Sequence, residues 1–388
     1  MMHTDIVIVG GGIIGCSIAY SLAAEGADVV VVERGDVACG TTSAAQGGVF
    51  SEHYAGLSEE LGSDIEYREG FSLLLVADEK DLPTAAEYAA QEHPKGLFLP
   101  VEKNLQLLDP KEAQALEPSV ADDLAGAVLR PRFADVNPMA VAFAYARAAQ
   151  RSGARLLTHT TAHRLSTRRR KVSSVSTDRG RIRCQTVVLA AGVWTPQLSE
   201  SLGIHVPVIP RRGQIIVAEK GPVLRSLRLL EFGLYTELRD LGTEATLSKN
   251  EFIRRGIAWN IKQAQEGNYL IGSTRDFAGF DKSTSPTVLG LLAQRTLRFL
   301  PRLRHIDCIR TFAGWRQYTP DLLPLLGRTR ALEGLLFATG FEGGGIALAP
   351  VVGPMLAHLI ISEQEAPLVD KCSIDRFSGR TFPSEVKQ

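Results

Sequence analysis

The chain has 388 residues, enough for two domains with ample buried core, and its 43 acidic and 43 basic residues balance. No global field therefore recruits nucleic acid or an anionic membrane surface. Its five cysteines (Cys16, Cys39, Cys184, Cys308, Cys372) lie far apart with no C-x-x-C and no His cluster, which suits a reducing compartment and speaks against a zinc or iron–sulfur site built from this chain alone.

The first element is a run of β-branched residues, Ile6 to Val9, leading straight into Gly10-Gly11-Gly12-Ile13-Ile14-Gly15. An apolar helical stretch follows to Ala24, with Gly26 as its C-cap, and a second strand, Val29 to Val32, ends on Glu33 and Arg34. Gly10 permits the tight turn, Gly12 lets backbone approach a pyrophosphate, and Gly15 lets helix and strand pack closely. The helix N-terminus, with Ile13 and Ile14, offers unpaired N–H groups to phosphate. Glu33 is placed to accept hydrogen bonds from both hydroxyls of an adenosine ribose, which disfavours a 2′-phosphate. NADP is thereby set aside, and NAD and FAD remain. With the nucleotide strand beginning at residue 5 or 6 there is no room for a signal peptide, and the longest apolar stretch, Ile346 to Ile361, is too short to span a bilayer. A soluble cytoplasmic protein is expected.

The segment Cys39 to Gly48 is made of small residues and hydroxyls, too poor in bulk for a core element. It reads either as a surface loop or as a bed beneath a flat ligand, with Thr41, Thr42 and Ser43 bonding to phosphate or ring and Ala45, Gln46, Gly47 and Gly48 leaving it space. GGGIIG, the terminal Glu33 and the GTTSAA run together resemble the opening of the D-amino acid oxidase family of flavoproteins, which includes glycine and sarcosine oxidases and the catalytic β subunits of proline, hydroxyproline and opine dehydrogenases. The resemblance implies FAD as cofactor. It also implies a Rossmann-type α/β domain joined to a mixed, largely antiparallel substrate-binding sheet domain.

Further along, Tyr67 to Ala77 reads as a strand, Asp78 to Glu92 as an exposed helix, and Pro110 opens a short helix closed at Glu117-Pro118. Asn137-Pro138 caps a long amphipathic helix, Met139 to Arg151, and a strand is expected over Arg155 to Thr160. The basic run Arg168 to Lys171 is a solvated hairpin tip rather than a nucleic-acid contact. Family resemblance places Ala162 near the adenine. Thr186 to Thr195 is a buried strand running into a small-residue turn, where Ala191, Gly192 and Trp194 match the family's second FAD contact. Antiparallel strands follow at Gln214 to Ala218 and Tyr269 to Gly272, with a polar loop, 238–256, between them. Trp259 to Gln263 alternates in character and is expected to line the substrate sheet.

Chemistry concentrates in Arg310 to Asp321. Arg316 lies among aromatics before a turn, suited to a bidentate pair with a substrate carboxylate, or else to a structural pair with Asp321. The resemblance favours the first reading. Gln317 and Tyr318 follow where some relatives carry a flavin-linking cysteine, so FAD is expected to bind noncovalently, with Tyr318 near the substrate. Asn260 falls about where glycine-oxidase relatives have a carboxylate-binding tyrosine. The strand Leu335 to Thr339 leads into Gly340, Phe341, Glu342, Gly343, Gly344 and Gly345 before a helix from Ile346. Three consecutive glycines make sense if backbone touches the flavin and the helix dipole stabilises its reduced anion, with Phe341 and Glu342 reaching the substrate.

The expected division is residues 1–50, 138–212 and 308–372 for the FAD-binding domain, 51–137 and 213–307 for the substrate domain, and 373–388 as a C-terminal tail. The expected reaction is oxidation of an amino acid or secondary amine. AGWRQYTPD and GFEGGGIALAP look closest to β subunits that pass electrons to partner subunits carrying flavin or iron–sulfur centres. A homo-oligomeric oxidase releasing peroxide, or a scaffold that binds FAD without turnover, are the alternatives.

Overall fold

The computed structural model describes residues 2–94, 101–234, 248–362, 364 and 367–379. Taken along the chain, the elements that position the site are β1 (Ile6–Val9), α1 (Ile13–Ala24), β2 (Val29–Val32), β3 (Arg68–Val76), β4 (Gly126–Asp135), α2 (Pro138–Arg151), β5 (Arg155–Leu157), β6 (Thr186–Leu189), β7 (Ile209–Lys220), β8 (Arg228–Glu231), β9 (Ile257–Gln263), β10 (Asn268–Thr274), α3 (Pro286–Phe299), β11 (Cys308–Tyr318), β12 (Leu325–Arg328), β13 (Leu335–Thr339) and α4 (Gly345–Ser362).

One sheet runs β5-β2-β1-β6-β13-β12, with every neighbour parallel except β12 against β13. β1 and β2 read IVIV and VVVV and are buried throughout, because helices and a second layer cover both faces. On one face α1 packs between α2 and α4. At the α1–α4 crossing Ser17 Oγ donates to Ala349 O at 2.7 Å, and a Cβ at Gly353 would lie 2.2 Å from that hydroxyl oxygen. The other face is covered by a four-stranded sheet whose hairpin tip is Arg169-Arg170, a turn in solvent as expected. α4 is the one described helix long and apolar enough to cross a membrane, two residues longer than the stretch seen in sequence. Half of it is buried inside this fold, so its apolarity has a core to serve.

The second sheet has nine strands and runs β11-β7-β10-β9-β8-β3-β4 to Gly48–Val49 at its edge, with Gln106–Leu108 also pairing on β4. It is antiparallel apart from β8 beside β3. β9 is buried along both faces except at its last residue, because α3 packs on one side and the cavity described below lies on the other. The alternation expected of Trp259 to Gln263 is therefore one of side-chain chemistry, not of exposure. β11 pairs with β7 from Tyr318 back to Cys308, so strand pairing in this sheet continues eleven residues past the boundary expected at 307/308. β5 stops at Leu157, three residues short of the expected strand end. Of the 238–256 loop, 238–247 lies outside the described residues, and Asn250 caps a one-turn helix, Glu251–Arg254.

Candidate active site

A cavity of about 1270 Å³ lies over the carboxyl ends of β1, β2, β6 and β13 and continues beneath one face of the nine-stranded sheet. That is where an open α/β sheet binds its ligands. The size exceeds that of an ordinary small-molecule pocket and leaves room for a dinucleotide together with a substrate.

The dinucleotide half is shaped by close backbone contacts. Gly10 has φ +117°, and a Cβ there would lie 2.4 Å from Ala190 O; a Cβ on Gly15 would lie 1.9 Å from Gly10 O. Gly15 thus serves helix packing and does not face the cavity, whereas Gly10, Gly12, Ile13 and Ile14 do. No acidic side chain occupies the first turn of α1 and no side chain caps it, although Thr42 Oγ1 accepts from Ile13 N at 3.1 Å. The partial positive end of the helix is left open to an anion. Glu33 is oriented by its own backbone neighbours, Oε2 accepting from Gly11 N at 2.7 Å and Oε1 from Gly35 N at 2.9 Å, and further lone pairs on both oxygens remain for ribose hydroxyls. Arg34 lies 3.8 Å over the Trp194 ring, and both border the cavity. Thr41 Oγ1 is buried there without a partner, a hydroxyl awaiting a ligand. Ser43 differs from expectation. Its hydroxyl donates to Gly40 O at 3.0 Å, closing the Thr42–Ala44 turn, and faces away from the main cavity.

Thr161, Ala162, Ala191 and Gly192 line the same space, joined by Ala45, Gln46, Gly47 and Gly48. The small-residue run is held from behind. Lys262 donates to Gln46 O and to Asp135, each at 2.6 Å, and Asp135 also takes Arg68 at 2.9 Å. Burial, with Arg228 and Arg68 adding to it, brings the Lys262 ammonium down to about 8 against the opposing pull of Asp135. On the far side a Cβ on Gly314 of β11 would lie 2.2 Å from Ala44 Cβ, so the strand and the turn can meet only because both residues are small. Gly343, Gly344, Gly345 and Ile346 line the opposite wall at the start of α4. Gly340 does not; with φ +77° it turns the chain, and its N–H donates to Gln317 Oε1 at 2.8 Å. The same oxygen accepts from Thr339 Oγ1 at 3.0 Å, so Gln317 ties β11 to the end of β13.

In the substrate half Arg316 reaches across β7. Its Nη2 donates to Ser273 Oγ at 2.8 Å, and its Nη1 lies 3.4 Å from Glu342 Oε2. Asp321, the alternative partner, is bound by Arg376 instead. Arg211 stands directly opposite Arg316 in the β7–β11 register, and like charges so placed repel. Glu342 relieves them, lying 3.7 Å from Arg211 and 4.0 Å from Arg275 as well. Burial alone would raise the Glu342 carboxyl, yet Arg316, Arg275 and Arg211 outweigh it and hold the group below its usual value. Burial lowers the Arg211 guanidinium to about 10, with Arg275 and Arg316 adding to the effect against Glu342. Three guanidinium groups around one carboxylate leave a local excess of positive charge facing the cavity. Phe341 and Glu342 line it, as does Asn260. Tyr318 does not: its ring packs edge-on to Phe277 at 5.0 Å, and Arg211, which does face the cavity, lies 5.5 Å above it.

The sequence reading missed Arg211, Arg275 and Ser273. They sit on strands whose partners were unknown, and only the pairing of β7, β10 and β11 brings them to Arg316 and Glu342. The Gly cradle, the oriented Glu33 and the orphaned Thr41 hydroxyl fit a dinucleotide bound beside a carboxylate site.

Comparison with known proteins agrees. The family model described as DAO, FAD dependent oxidoreductase, matches residues 5–359. Hydrogen cyanide synthase subunit HcnC of Pseudomonas aeruginosa is 28% identical, with 94% of each chain covered. The structure of glycine oxidase from Geobacillus kaustophilus superposes with a TM-score of 0.82 at 25% identity over 97% of this chain and 99% of that one. L-proline dehydrogenase from P. horikoshii shares the fold, with a TM-score of 0.80 at 22% identity and coverage of 97% and 98%. The chain belongs to the DAO family of FAD-dependent oxidoreductases.

Proposed function

We propose that this protein oxidises the C–N bond of an amino acid or secondary amine to an imine, which water then hydrolyses. The observation that carries the reading is Arg316: a half-buried guanidinium, fixed by Ser273 and Glu342, in the same cavity as the dinucleotide cradle. When bound in the Gly10–Ile14 cradle, FAD would supply the two-electron acceptor for the substrate's hydride. Arg316 binds the substrate carboxylate, with Gln46, Gly48 and Asn260 bordering the rest of the molecule. The positive charge of Arg211, Arg275 and Arg316 disfavours an ammonium, so the amine binds neutral and needs no dedicated base. Positioning and charge stabilisation then account for most of the catalysis. The positive end of α4, approached through Gly343 to Gly345, stabilises the negative charge that develops on reduction.

FAD is held noncovalently in this reading, since Gln317 follows Arg316 and its side chain is already committed to Thr339 and Gly340. The soluble, cytoplasmic setting rests on α4 being packed into the core and on five free cysteines. Two fates for the electrons are kept. Similarity to a protein named as a subunit supports assembly with another subunit, and a partner carrying flavin or iron–sulfur would then take the electrons. Similarity to glycine oxidases supports reduction of O₂ to peroxide without a partner subunit. The test is anaerobic mixing of the FAD-loaded protein with candidate amino acids while absorbance near about 450 nm is followed. Bleaching supports the reading. Failure of every amine, with dithionite still bleaching the flavin, would leave a non-catalytic FAD-binding scaffold. Admitting air to the reduced protein then separates the two electron acceptors.

A further inference from the structure

Asn260 lies at the middle of β9, paired with Gly272 of β10 on one side and Leu230 of β8 on the other. It is 5% exposed and lines the cavity. Its Nδ2 donates to Ala258 O at 3.2 Å, while its Oδ1 is buried with no partner. The amide cannot be turned round, because a carbonyl oxygen accepts and never donates, so Ala258 O fixes the NH₂ end and leaves the oxygen as the unsatisfied atom. A buried acceptor left unmade is costly, and a native structure that keeps one at a binding surface has a donor to meet there.

The position relative to Arg316 is informative. Arg316 starts on β11 but reaches Ser273 on β10, so the carboxylate it holds lies over β10. Asn260 sits on the adjacent strand, about 4.8 Å away in the pairing direction. An amine or the first polar atom of a side chain, together with a hydrogen bond of about 2.9 Å, covers that gap from the carboxylate. Because Arg211, Arg275 and Arg316 outnumber Glu342, the donor that suits this place is neutral.

We propose that the carboxamide oxygen of Asn260 accepts a hydrogen bond from a neutral N–H or O–H of the substrate, one strand away from the carboxylate on Arg316, and thereby determines which amines are turned over. This deepens the amine-oxidation reading and rests on it. A site built around a buried acceptor rejects analogues that lack the donor far more strongly than an apolar pocket rejects a missing methylene.

The test uses FAD-loaded wild type, N260L and N260S in anaerobic rapid mixing, with alanine against serine and proline against 4-hydroxyproline in both chiralities. N260L is expected to lower the second-order rate of flavin reduction by about 10- to 100-fold, with FAD content unchanged, and N260S to restore part of it. A loss shared equally by both members of a pair assigns the contact to the amine N–H. A loss confined to the hydroxyl-bearing member assigns it to the side chain. Should N260L fail to fold, N260A removes the acceptor without added bulk and carries the same expectation. An N260L or N260A protein that reduces its flavin within about threefold of a reactive wild type, with every substrate, overturns this proposal alone. A wild type reduced by none of them overturns the amine-oxidation reading and this proposal with it.

Discussion

Arg316 and Glu342 carry opposite charges but unequal company, and their substitution should show it. Arg316→Lys keeps the charge and loses the fork that a carboxylate matches. The expected outcome is a rise in substrate KM of about 10- to 100-fold with FAD content unchanged, measured by titrating amino acid against initial rate. Loss of FAD instead would place Arg316 in the cofactor site. Glu342 supplies a pH test. Its folded value lies below the usual 4.5, so on acidification the unfolded chain takes up a proton first and stability falls as pH drops through that range. Between about pH 3 and 5 the melting temperature should therefore fall more steeply with decreasing pH for wild type than for Glu342→Gln. Equal slopes would mean that the three arginines do not hold this carboxylate charged.

At the scale of elements, the site is made by two turns meeting one strand. β11 touches the Thr42–Ala44 turn at Gly314 and clasps the end of β13 through Gln317. Gly314→Val would drive a side chain into Ala44, and the turn must shift to accept it. Weaker FAD binding is expected, together with a loss of about 1–3 kcal/mol in stability, read by flavin fluorescence titration and thermal melts. Unchanged affinity would show that the turn does not shape the cofactor bed. These contacts also mark where sequence reading stopped. The β1–α1–β2 unit was legible because a Gly-rich turn, a helix and a terminal acid are consecutive, and local rules govern them. α4 was legible from three glycines before an apolar run. Arg211, Ser273 and Arg275 were not, since a strand's sequence does not say which strand lies beside it. Ser43 was expected at the ligand for its hydroxyl, and Tyr318 near the substrate beside Arg316. A tight turn sends Ser43 outward, and Arg211 comes between Tyr318 and the cavity.

For the molecule as a whole, the two sheets share one cavity, and neither closes it alone. The glycine cradle comes from the parallel sheet and the arginine cluster from the nine-stranded one, so a cofactor and substrate bound as proposed would meet where the two layers join. Ligand bound to the folded state alone stabilises it by about 2.7 kcal/mol at a hundredfold excess over Kd. For a chain of this length the melting temperature should rise by roughly 3 °C on adding FAD to apoprotein. No rise would argue that the cradle is not occupied in solution.

The most direct test is crystallographic: diffraction from the protein grown with FAD and a non-reactive carboxylate that mimics an amino acid. The account predicts the pyrophosphate at Gly10 to Gly12, ribose hydroxyls on Glu33, and the carboxylate paired with Arg316 over the flavin. A carboxylate bound away from Arg316, or a flavin lying outside the cavity between the Gly343–Gly345 turn and the nine-stranded sheet, would contradict it.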